Sequence, residues 1–98
     1  MMTHFEDHGL AQTVHHELEQ LRLREPPATA EELAALARKA DEPPGWQPRN
    51  SRKKVDDARA NTRLAINELA ERVSTDLSSS VFWKIALDRA WAWVQAAE

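Results

Sequence analysis

Apolar residues recur along this chain with the period of a helix. Leu10, Val14, Leu18 and Leu21 are spaced by four, four and three, which places them on one helical face. The pattern predicts a first helix over 3–25. Thr3 with Glu6 matches a capping box at its start, and Pro26-Pro27 ends it. Gly9 weakens the first two turns by about 1 kcal/mol relative to alanine, so regular helix is expected to begin nearer Leu10. Thr29 with Glu32 forms a second capping box. Leu33, Leu36 and Ala37 or Ala40 continue a helix over 29–41 that closes with Arg38 and Lys39 near its negative end. The first two helices are expected to form a hairpin. Val55, Ala58, Thr62, Ala65 or Ile66, Leu69 and Val73 mark the inner stripe of a third helix over 51–74, capped by Asn50 or Ser51. A fourth runs over 78–96 with Asp76 or Ser78 as its N-cap. No stretch alternates as a strand would. The expected fold is all-α, a small bundle of four helices with no sheet.

The fourth helix is too apolar for one buried face. Phe82, Ala86, Ala90 and Trp93 form one stripe, widened by Val81 and Ile85, and Trp83, Leu87, Trp91 and Val94 form a second beside it. Lys84, Asp88 and Gln95 make the polar edge. A helix apolar over so much of its circumference is buried on more than one side. The first stripe is expected in the bundle core. The second, with Trp83, Leu87, Trp91 and Val94, is the candidate surface for a second copy or another protein. The alternative is that both stripes are core.

Residues 42–50 break the helical pattern with three prolines and a glycine. This loop is expected to separate an acidic helical hairpin from a basic-to-apolar one within a single domain, 1–98. Trp46, in its middle, either plugs one end of the bundle or serves as a second docking anchor. The net charge of −3 hides an asymmetry: residues 1–45 carry four Lys/Arg against nine Asp/Glu, and residues 46–63 carry six against two. Arg49, Arg52, Lys53, Lys54, Arg59 and Arg63 are therefore the candidate nucleic-acid contacts. The competing expectation is that this patch pairs with acidic residues of the first half, such as Glu31, Glu32, Asp41 or Glu42.

The remaining chemistry is sparse. There is no cysteine, and two glycines cannot build a phosphate-cradling loop. No arrangement of residues meets the requirements of an active site, so catalysis, a cofactor and a small-molecule substrate are not expected. His4, His8 and His15 fall on nearly one helical face beside His16, off the apolar stripe, and are expected to be exposed rather than metal ligands. No stretch resembles a signal peptide or a membrane span, so a cytoplasmic protein is expected. The composition suits a small regulatory protein of bacteria or phages. The function expected is non-enzymatic protein binding: a homodimeric adaptor, or an inhibitor of a larger macromolecule, acting through the tryptophan-rich fourth helix. The alternative is a DNA-binding regulator using the basic start of helix three.

Overall fold

The computed structural model describes residues 3–24, 28–41, 53–75 and 78–97, with backbone alone for 3–7 and 41. Four helices account for almost all of them: α1 (Thr3–Leu23), α2 (Ala30–Asp41), α3 (Lys53–Ser74) and α4 (Ser80–Ala96). No strand occurs among the described residues, and the architecture is the expected all-α four-helix bundle. The loop 42–50, Pro26-Pro27, Trp46, Arg49, Asn50, Ser51, Arg52 and Asp76, and the side chains of Thr3, His4 and Glu6, lie outside the described residues.

Neighbouring helices run antiparallel, as their contacts show. Arg24 meets Glu32 while Glu17 meets Lys39, so ascending positions on α1 face descending positions on α2. Thr62 reaches Arg89 and Arg72 covers Phe82, which gives α3 and α4 the same opposed sense. Packing is densest between α2 and α3 and between α3 and α4, then between α1 and α4, and least between α1 and α2. The chain-adjacent α1 and α2 do lie side by side, but α1 packs more extensively against α4. Val14 and Leu18 of α1, Leu33 of α2, Ile66 and Leu69 of α3 and Trp93 of α4 are all fully buried in one core. The long axis of 42 Å against 19 Å across follows from the 22-residue α3, which at about 1.5 Å per residue spans roughly 33 Å.

Two local expectations meet different outcomes. The Thr29–Glu32 box forms: Glu32 N–H donates to Thr29 Oγ1 at 3.1 Å and Thr29 N–H donates to Glu32 Oε1 at 2.9 Å. α1, in contrast, does not wait for Leu10. It starts at Thr3 and passes through Gly9, where an added Cβ would meet nothing within 4 Å. Glycine there is not required by packing, and the surrounding turns carry its cost.

Glu32 also receives the Arg24 guanidinium. That bond first, and the Thr29 N–H second, hold its carboxyl at about 2, well below the ordinary 4.5. A depressed folded-state value means that the contribution is present above about pH 4.5 and is lost as pH falls towards 2. Both side chains are solvent-exposed, so salt screens the pair. A carboxyl NMR titration is expected to place the Glu32 midpoint near 2 in the native protein and to move it up in Arg24→Ala. An unshifted midpoint in the native protein would remove the α1–α2 tie.

Candidate protein-binding surface

α4 is placed by contacts at both of its flanks. It begins after Ser79, whose carbonyl accepts from Trp83 N–H at 2.9 Å and whose side chain makes no capping bond. Neither expected cap, Asp76 or Ser78, occupies that position. Ala86, Ala90, Trp93 and Val94 face inward, and small side chains at 86 and 90 let α4 approach its neighbours closely. On the α3 side, the Thr62 hydroxyl lies 2.8 Å from the Ala58 carbonyl and 3.0 Å from the Arg89 carbonyl. A buried hydroxyl needs an acceptor, and the Arg89 carbonyl fixes which turn of α4 meets which turn of α3. Further along, the Arg72 guanidinium sits 4.4 Å over the Phe82 ring, a cation–π contact.

On the α1 side, Trp83 and Leu87 are half-buried against the core, and Trp91 stands at the rim with 49% of its surface exposed. The His15 ring packs against it at 5.4 Å between centroids and 50° between planes, and His15 Nδ1 lies 3.8 Å from the Glu19 carboxylate. Beside it, Leu87 and the end of α1 (Glu19, Gln20, Arg22, Leu23) border a shallow groove of about 380 Å³. Leu23 is 78% exposed there. The α1–α4 seam thus presents an aromatic edge and an open leucine with charged groups around them.

The structure sorts the expected contact residues. Leu87 and Trp91 stand against α1, and Trp83, one turn before Leu87, is half-buried. Val94 does not join them: it is only 2% exposed and belongs to the core. Val81 and Ile85, expected to widen the buried stripe, are instead exposed at 64% and 37%. The buried sector of α4 is therefore rotated towards its second stripe. The cause is the position of the neighbours. α3 takes the Phe82 side and α1 the Trp83 side, and no helix covers Val81 and Ile85.

The histidines and the basic patch also move from expectation. His8 and His15 are half-buried rather than exposed, and His8 Nε2 is buried with no hydrogen-bond partner among the described residues. His16 is exposed. Among the described residues no three His, Asp or Glu groups are gathered to hold a metal. Lys53 pairs with Asp57 at 3.0 Å, and Arg59 pairs with Asp56 at 3.4 Å. Lys53 and Arg59 are thus countered by carboxylates of their own helix, while Arg49, Arg52, Glu42 and the Asp41 side chain lie outside the described residues. Lys54 is exposed and Arg63 half-buried. No helix among the described residues is long and apolar enough to cross a membrane.

A small antiparallel helical bundle with an aromatic seam on its last helix is what the fold and surface define. Comparison with protein-family models, with curated proteins and with solved structures gives no match.

Proposed function

We propose that this is a non-enzymatic protein-binding protein: a homodimeric adaptor, or an inhibitor of a larger macromolecule, acting through its tryptophan-rich α4. The observation that carries this is Trp91, half-exposed at 49% yet held in place by His15. Tryptophan is among the residues that most often dominate binding energy. An indole packed against a neighbouring ring at a rim has less freedom to lose on docking than a fully free one, which favours affinity. Leu23 and Leu87 offer apolar area beside it, and Glu19 and Arg22 supply a polar border of both signs.

The test compares the native protein with Trp91→Ala. Mass is followed by light scattering across a wide concentration range, and binding to any protein captured from a lysate of its source is titrated. Trp91→Ala is expected to weaken association with a captured protein at least about tenfold, with far-UV helicity retained. Native-like association of the variant would remove Trp91 from the interface.

A further inference from the structure

We infer that a second copy of this chain docks on the outer face of α4, along Val81, Ile85 and Ala92, beside the Trp91 seam. This rests on the homodimeric reading given above and assigns its two-fold contact. Val81, Ile85, Asp88 and Ala92 are spaced by four, three and four, so they form one strip along the helix. All four are exposed, Val81 at 64% and Ile85 at 37%. The strip lies away from α1, since Trp83, Leu87 and Trp91 take that side.

The charges bordering the strip choose its occupant. Asp88 lies at one edge of the strip with Lys84 beyond it, and Arg89 stands on the other border. Arg72 over Phe82 sets the register with α3, and Glu68, one turn before Arg72, comes level with the turn that holds Ile85. Lys84, Asp88, Arg89 and Glu68 are all exposed, and none makes an ion pair among the described residues. Two positive and two negative groups thus flank an apolar strip.

A two-fold axis uses them all. When two α4 helices pair antiparallel about a point between Ile85 and Asp88, like borders meet like borders. Val81 then lies across from Ala92 of the second copy, and Lys84 comes within one residue's rise of Asp88. On the other border Arg89 comes level with position 84 of the second copy, where that copy's Glu68 stands. Each pairing occurs twice by symmetry. A parallel two-fold pair brings opposite borders together, so Lys84 of one copy faces the Arg89 border of the other and the Lys84–Asp88 pairs are lost. A patch that is complementary to itself in charge and apolar at its centre fits a copy of itself.

The experiment measures the dimer dissociation constant by sedimentation over a wide concentration range for the native chain, Lys84→Glu, Asp88→Lys, the double exchange, Ile85→Glu and Trp91→Ala. Circular dichroism checks that each variant stays helical. Each single charge reversal is expected to raise the constant about tenfold, because it replaces two attractions by two repulsions. The double exchange is expected to return it to within about threefold of native, and Ile85→Glu to raise it at least about 30-fold. Trp91→Ala, at the edge of the strip, is expected to raise it less than Ile85→Glu does. A dimer untouched by Ile85→Glu, or a double exchange no tighter than the singles, overturns this contact. If Trp91→Ala alone weakens the dimer, the two-fold moves to the tryptophan seam; the protein-binding reading then survives and this inference does not. A monomer at every concentration overturns both this contact and the homodimeric part of that reading.

Discussion

Trp93→Ala is expected to destabilise the protein by about 3–5 kcal/mol, while Trp91→Ala costs under about 1 kcal/mol, although the two residues are one position apart. Trp93 has no exposed surface and is the largest fully buried side chain. It sits in the last turns of α4, on the inner arc that continues from Ala86 and Ala90. Removing an indole there deletes its burial and leaves a cavity that close-packed neighbours cannot fill. Small domains have about 5–15 kcal/mol of total stability, so the loss is a large share of it. Trp91 keeps about half of its surface in water already, and its truncation opens no internal void. Urea unfolding followed by circular dichroism separates the two: the midpoint falls steeply for Trp93→Ala and barely for Trp91→Ala, with similar slopes. Equal losses would mean that α4 is rotated from the orientation described, with Trp91 in the core.

That contrast also measures how far the chain can be read from its residues. Spacing places Trp93 with Phe82, Ala86 and Ala90, and that stripe does enter the core. The same spacing groups Val94 with Trp83, Leu87 and Trp91, yet Val94 is buried and Trp91 half-exposed. Periodicity tells which residues share a side of a helix. It does not tell where the neighbouring helices stand, and on an arc as wide as that of α4 the boundary of the core depends on them. For the same reason spacing predicts Val81 and Ile85 inward, whereas both lie outward. Short-range chemistry is more legible. The Thr29–Glu32 box involves residues three apart and forms as the motif predicts. The Arg24–Glu32 tie, the Thr62–Arg89 bond and the His15–Trp91 contact join separate helices, and no local pattern announces them. A threonine on an otherwise apolar stripe was the available signal for the second of these, since a buried hydroxyl requires an acceptor.

Leu18→Ala is expected to cost about 2–5 kcal/mol and to loosen α1 more than the rest of the bundle. Leu18 is fully buried, with Val14 one turn before it and Ala11 beyond, so this stripe is the apolar attachment of α1. That attachment is mainly to α4. The other ties of α1, Arg24–Glu32 and Glu17–Lys39, are solvent-exposed ion pairs that water and salt screen. α2, α3 and α4 remain packed on one another through Leu33, Ile66, Leu69 and Trp93 when α1 is weakened. Opening of α1 alone therefore becomes cheaper than opening of the whole, and native-state hydrogen exchange reads the difference. In Leu18→Ala, amides between Ala11 and Leu21 are expected to lose more protection than those between Thr62 and Ala70. If both stretches lose protection equally, α1 is part of one cooperative unit. In that case loosening α1 would cost the entire fold, and the α1–α4 seam could not yield to a partner by partial opening; it would have to accept one as a rigid surface.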